Sequence, residues 1–217
     1  STDDTCERLA AEFDAARVIV LPGAHAGIAA AKNRALRGGT GEIRGILDSD
    51  DLYLPQFVAR CVEALVQYPA VGLVYTDNYH IDSRGSRTVQ QALDWSLRGL
   101  LQSCNLRGDS WLCWWSTLCR TRLHDERFEL EVDYDLFYSL SAITDFIRIP
   151  SVLQTVRTHP GRVTADRQRA AYWHAAALAK HGYSIEYAYM RAGTAGALDL
   201  WRDAIAAGYR HGQGLRL

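Results

Sequence analysis

Residues 42–51 read Glu42-Ile43-Arg44-Gly45-Ile46-Leu47-Asp48-Ser49-Asp50-Asp51, an apolar run that ends in three carboxylates. The first six residues predict a strand, so the acidic cluster sits at its carboxyl end, where open α/β sheets bind ligands. Three carboxylates this close repel one another unless a cation or strong hydrogen bonds neutralise them. A hard divalent ion suits them, and Mg²⁺ or Mn²⁺ leaves positions open for phosphate oxygens. The alternative is turn chemistry, with Asp51 capping the helix that Pro55 opens. Spacing alone does not choose between the two.

Outward from this stretch, helical and extended patterns alternate. Leu9, Ala10 and Phe13 recur at helical spacing behind the capping residues Ser1–Thr5. Arg17-Val18-Ile19-Val20-Leu21 is short and β-branched, and Pro22-Gly23 stops it, which predicts a buried strand. Gly27 to Leu36 is alanine-rich and predicts a helix ending at Gly38-Gly39. After Pro55, residues Phe57, Val58, Cys61, Val62 and Leu65 form one apolar helix face, and Val71–Tyr75 is a further strand. Helix, strand, helix, strand, helix, strand predicts an α/β fold with a mostly parallel sheet flanked by helices.

The middle is less regular. Asp82–Gly85 is a turn, Leu93–Leu101 a helix and Trp111–Leu118 a strand. Asp133–Leu140 is a helix with Tyr134, Phe137 and Leu140 on one side. Phe146–Ile149 and Val152–Val156 are short strands around Pro150. Beyond Arg162 helices are expected at 167–180, 185–191 and 195–207, so residues 1–164 read as the α/β domain and 165–217 as a helical tail.

Bulk properties narrow the function classes. The 217 residues are 48% hydrophobic and 23% charged, a globular mixture. A net charge of -1 gives no electrostatic case for nucleic acid. The five cysteines, Cys6, Cys61, Cys104, Cys113 and Cys119, form no Cys-x-x-Cys and read as free, mostly buried thiols. No apolar run approaches the ~20 residues that span a bilayer, and no signal-peptide pattern is visible. A cytoplasmic protein is expected, peripheral association with the inner membrane face being compatible with it.

The ordered set of Gly27-Ile28-Ala29-Ala30-Ala31-Lys32-Asn33-Arg34, Ile46-Leu47-Asp48-Ser49-Asp50-Asp51, Pro55, Pro69 and Val74-Tyr75-Thr76-Asp77 resembles family 2 glycosyltransferases of the GT-A fold. Asp125-Glu126-Arg127-Phe128, Asp133-Tyr134-Asp135-Leu136, and Ile149-Pro150 followed by Val156-Arg157-Thr158-His159 extend the resemblance over residues 1–164. The chain departs from the family pattern in three ways. It lacks the first β-α-β unit, which supplies much of the base pocket. Val132 stands where the family has the Glu of Glu-Asp, with Glu131 one residue away. Lys32 replaces the commoner Arg and loses its bidentate fork.

The resemblance implies sugar transfer from a UDP- or dTDP-sugar to a saccharide or lipid-linked acceptor, with inversion and a Mn²⁺ or Mg²⁺ cofactor, in cell-surface polysaccharide or glycoconjugate synthesis. It gives Asp48 the donor ribose or the metal, and Asp50 the metal. Asp133 becomes the general base, with Glu131 as runner-up and an N-cap of the following helix as the alternative. His159 reaches the metal or diphosphate, or is a turn residue before Pro160-Gly161. Arg157 is a weaker donor contact. Lys32 and Asn33 wall the nucleotide, or lie on a solvated helix face. Asp77 is a candidate supporting residue at the same sheet edge. Trp114 and Trp115, with Trp111, offer an acceptor platform or plain packing.

Two other readings stand beside this one. A non-catalytic sugar-binding or scaffold domain would retain donor binding without turnover. A metal-dependent phosphohydrolase using Asp48 and Asp50 would need a nucleophilic Asp on its first strand, and that set is not found.

Overall fold

The computed structural model describes residues 4–14, 17–103, 106, 109–159, 161 and 167–183. The helices expected at 185–191 and 195–207, together with Cys104 and Pro160, lie outside them. In chain order the elements are α1 (Thr5–Glu12), α2 (Ile28–Gly38), β1 (Ile43–Arg44), β2 (Leu52–Tyr53), α3 (Phe57–Gln67), β3 (Val71–Ile81), β4 (Arg87–Gln90), α4 (Leu97–Ser103), β5 (Trp111–Trp114), α5 (Trp115–Leu118), α6 (Val132–Ser141), β6 (Asp145–Arg157) and α7 (Arg167–Lys180).

The six strands form one sheet in the order β1-β5-β3-β6-β2, with β4 paired to β3. The α/β architecture is as expected, but the sheet is mixed rather than mostly parallel. Among the described strands only β3 and β6 pair in parallel, and the other pairings are antiparallel. The aromatic strand β5 inserts between β1 and β3, which the alternation of elements placed side by side. Periodicity reports that a strand exists and says nothing of its neighbour.

Alternation along the central strands sorts the core into two layers. Leu73, Tyr75, Trp111 and Cys113 face one layer, packed with Leu36 of α2, Leu100 of α4, Leu136 and Phe137 of α6, and Trp173 and Leu178 of α7. Val74 and Leu112 face the other, covered by Phe57, Cys61 and Leu65 of α3. Val58, expected on that apolar face, is 55% exposed, because it lies one residue off the stripe that meets the sheet. The four described cysteines are free, Cys61 and Cys113 buried but Cys6 and Cys119 exposed.

Three strand expectations are corrected. The strand expected over Trp111–Leu118 ends at Trp114 and gives way to α5. Residues 17–21 form no strand, and Ile19 and Leu21 are exposed. A strand needs a hydrogen-bonded neighbour, and among the described residues none pairs with this segment. The two strands expected around Pro150 are one. Ile149 pairs with Thr76 and Val152 with Asp77, so Pro150 and Ser151 form a bulge. Proline has no N–H to give the ladder, and a bulge absorbs the loss without ending the strand.

Phe57 is fully buried and stacks on Tyr53 with ring centroids 3.8 Å apart. Phe57→Ala is expected to lower unfolding free energy by about 3–5 kcal/mol in urea titrations. A loss under about 1 kcal/mol would contradict the packing of α3 described above.

Candidate active site

Gly45 explains how the end of β1 comes so close to β5. A Cβ there would lie 2.6 Å from the Trp111 carbonyl oxygen, so only glycine permits the approach. The Tyr53 hydroxyl then donates to the Ile46 carbonyl at 2.6 Å and anchors the chain just before Asp48. Asp109, ahead of β5, and Asp133, in the first turn of α6, arrive at the same place.

Lys32 of α2 is the point where they meet. Its Nζ donates to Asp109 Oδ1 and Asp133 Oδ2, both at 2.9 Å, and lies 3.6 Å from Asp48 Oδ1. The lysine is 5% exposed and Asp109 2%. Burial alone would lower the lysine pKa, but the Asp133, Asp109 and Asp48 carboxylates hold it well above the usual range. Burial first, and the Asp133 charge second, lift Asp109 to about 8. Burial also works to raise Asp133, yet its pKa is lowered, with the Lys32 ammonium as the chief opposing cause. His124 Nδ1 stands 3.8 Å from Asp133 Oδ1 and adds little, because burial favours the neutral imidazole. One Asp133 oxygen, Oδ1, is shielded and has no hydrogen-bond partner.

Asp50 and His159 form a second, more open group. Asp50 Oδ2 and His159 Nε2 are 3.1 Å apart, and both side chains are nearly half exposed. Asp51 does not cap α3. Its Oδ1 accepts the Arg157 backbone N–H at 3.0 Å, which ties the acidic turn to the end of β6 and brings His159 to Asp50. The N-cap of α3 is Gln56, without a side-chain cap bond. The Arg157 side chain is exposed beside this group.

Several expected residues have other surroundings. Lys32 and Asn33 are buried, not on a solvated face. Asn33 Nδ2 donates to the His124 carbonyl and to Glu126, and Asn33 Oδ1 accepts the His124 N–H at 2.9 Å. These bonds occupy the amide, and Asn33 clamps the loop before α6. Asp77 is mid-strand and held by Arg148 at 2.8 and 3.0 Å, as part of the tie between β3 and β6. Trp114 pairs with Ile43, at the opposite end of β1 from Asp48. Five residues of chain separate Ile43 from Asp48, roughly 16 Å if extended. Trp115 carries the Arg44 guanidinium 3.6 Å from its ring centroid. Both side chains take part in packing, Trp115 against one core layer and Trp114 against the other.

Glu131 has φ 57, an uncommon left-handed conformation for a residue with a side chain, and it precedes α6. Val132 points into the core at 2% exposure. Burial, then the Asp133 charge, raises Glu131 to about 7, and burial lowers its neighbour His174, 4.0 Å away, to about 4. Sequence reasoning missed Asp109 and His124. Asp109 carries no motif, whereas His124 directly precedes the Asp125-Glu126-Arg127-Phe128 segment and was findable from it.

Residues 1–130 match the family model "Glycosyl transferase family 2", and the chain belongs to that family. It is 29% identical over 153 residues to chondroitin synthase of Pasteurella multocida strain Pm70, covering 67% of this chain and 15% of that protein. It is 29% identical over 155 residues to chondroitin synthase of Escherichia coli, covering 70% and 22%. The chain thus spans less than a quarter of the length of these curated relatives. Among solved structures it is similar to the mannosyltransferase PcManGT from Pyrobaculum calidifontis in complex with GDP-Man and Mn²⁺, with TM-score 0.62, 21% identity, and coverage of 99% and 65% of the two chains. S. aureus TarS 1-349 in complex with UDP gives TM-score 0.60 at 13% identity, covering 88% and 57%. These likenesses identify the fold as that of GT-A glycosyltransferases.

Glu131 supplies a pH prediction. Its folded pKa of about 7 lies above the ordinary glutamate value of 4.5, so its stabilising contribution is complete at low pH and fades as pH rises through 7. The full loss is about 3 kcal/mol. Glu131→Gln should match wild type near pH 4.5 and exceed it by up to that amount at pH 8 in urea unfolding. A stability difference that does not change with pH would contradict a buried Glu131 carboxyl.

Proposed function

We propose that this domain transfers a sugar, with inversion, from a nucleoside diphosphate donor to a hydroxyl of a saccharide or lipid-linked acceptor. The observation that carries the reading is the meeting of Asp48 and Asp133 on Lys32, which puts the donor-side acid and the base candidate on one side of the sheet. Asp133 fits the base because Lys32 keeps it ionised while its side chain stays a quarter exposed. The acceptor O–H gives its proton to the Asp133 carboxylate as the new C–O bond forms at the anomeric carbon. The bond to the diphosphate breaks, and its electron pair leaves with the nucleotide.

Asp48 would contact the donor ribose, and Arg157 the diphosphate. Asp50 and His159 would hold Mn²⁺ or Mg²⁺. Their donor atoms suit such an ion, which commonly takes one or two protein groups and completes its shell with water and phosphate oxygens. Among the described residues no group of three or more His, Cys, Asp or Glu stands ready to bind a metal without such help. When bound, the ion would neutralise charge on the leaving diphosphate. Glu131 remains the second base candidate, since its raised pKa suits proton transfer near neutrality.

Relatives support the donor and product classes. The solved neighbours carry GDP-Man with Mn²⁺ or UDP, which favours a nucleotide-sugar donor, UDP- or dTDP-linked in our reading. Chondroitin and hyaluronan synthases favour a role in cell-surface polysaccharide synthesis. Among the described residues no helix is long and apolar enough to cross a membrane. Work at the cytoplasmic membrane face, with peripheral attachment, is consistent with these observations.

Nucleotide release from a panel of UDP-, dTDP- and GDP-sugars with Mn²⁺ tests the reading. Asp133→Asn should reduce turnover about 10²–10⁴-fold with donor affinity retained, and Asp50→Ala should weaken Mn²⁺-dependent donor binding. Turnover undiminished in Asp133→Asn, or phosphate release from simple esters in place of nucleotide release, would overturn it.

A further inference from the structure

Asp109 has no part in the chemistry described so far. It comes from a segment without a motif, yet it is among the most buried carboxylates of the site and shares the Lys32 ammonium with Asp133 at the same 2.9 Å distance. Its Oδ2 is buried and has no hydrogen-bond partner. A carboxylate serving only to neutralise a lysine would be redundant here, because Asp133 and Asp48 already face that lysine. Two carboxylates bonded to one buried ammonium interact strongly enough to gain and lose protons as a unit.

We propose that Asp109 and Asp133 act as one carboxylate pair across Lys32, with Asp109 as a positioning residue that sets when Asp133 accepts the acceptor's proton. The proposal rests on Asp133 as the base. Other ionisable groups around the pair are Asp48 after β1, Tyr53 on β2, and His124 and Glu131 ahead of α6. Of these, Tyr53 donates to the Asp109 backbone carbonyl at 3.1 Å and leaves its carboxylate to Lys32. With one proton on the pair, that proton resides on Asp109, which burial favours in its neutral form. Asp133 is then ionised, but Lys32 is directed mostly at it and weakens it as a base. When Asp109 loses its proton, it draws the ammonium toward itself and adds a second negative charge nearby. Both effects strengthen Asp133. No proton passes along the lysine, and the acceptor's proton goes to Asp133 alone.

The test uses the full chain and two readouts. Carboxyl ¹³C NMR of Asp-labelled protein should show a titration near pH 8 that disappears in Asp109→Asn. It should move to lower pH in Asp133→Asn, where Asp109 faces an amide instead of a charge. Asp109→Asn leaves Lys32 with two counter-ions, so the fold should survive. Its kcat should fall about tenfold or more, with donor KM within about twofold, and the rise of kcat towards alkaline pH should vanish. Asp109→Glu should restore part of that rise. An Asp109→Asn protein that is merely less stable, with the wild-type pH–rate profile and the pH 8 titration intact, overturns the proposal. Full turnover in Asp133→Asn overturns it together with the base assignment, whereas loss of turnover there with an unaffected Asp109→Asn sinks the pair alone.

Discussion

One buried ammonium group holds this site together. Lys32 brings α2, the end of β1, the approach to β5 and the start of α6 to a common point through three carboxylates. Each contact with an ionised carboxylate at these distances is worth about 5 kcal/mol at an effective dielectric constant of 20. Removing each ion from water costs several kcal/mol. One partner would leave the lysine near break-even, and three keep it charged. The carboxylates gain in turn, since without Lys32 they would repel one another at close range.

The Lys32 group and the Asp50–His159 pair divide the work by exposure. The first is shielded and rigid, suited to fixing the charge state of a base. The second is nearly half open, suited to exchanging water for diphosphate oxygens. Asp51 links them, since its bond to the Arg157 backbone sets where the end of β6, and hence His159, meets the acidic turn. Asp50 beside it is nearly half exposed, while Asp51 is buried against the chain. This division explains how a string of acids can sit beside a sheet edge without three solvent-exposed charges crowding together.

Much of the fold was legible because it depends on local pattern. The helices α2, α3, α6 and α7 and the strands β1, β3 and β5 follow from periodicity, Pro55 and the glycines at 38 and 39. Strand neighbours were not legible, because β5 joins β1 and β3 through contacts some 70 and 40 residues away in sequence. The extended run at 17–21 had the composition of a strand but no partner among the described residues. The motif acids and His159 were singled out by their resemblance to the family pattern, and the structure brings Asp48 and Asp133 to Lys32 and His159 to Asp50. Lys32 was found with the wrong surroundings, since its burial depends on segments 77 and 101 residues distant. Asp109 had no local signal. Trp114 and Trp115 were drawn toward the site by their chemistry, and strand register puts them at the other end.

A double-mutant cycle between Lys32 and Asp133 tests the central claim most directly. Unfolding free energies of wild type, Lys32→Met, Asp133→Asn and the double variant give the coupling between the two side chains. We expect a coupling of about 2 kcal/mol or more, with the double variant more stable than additive losses predict. A coupling near zero would show that the ammonium and the carboxylate do not depend on each other, and the account would fail.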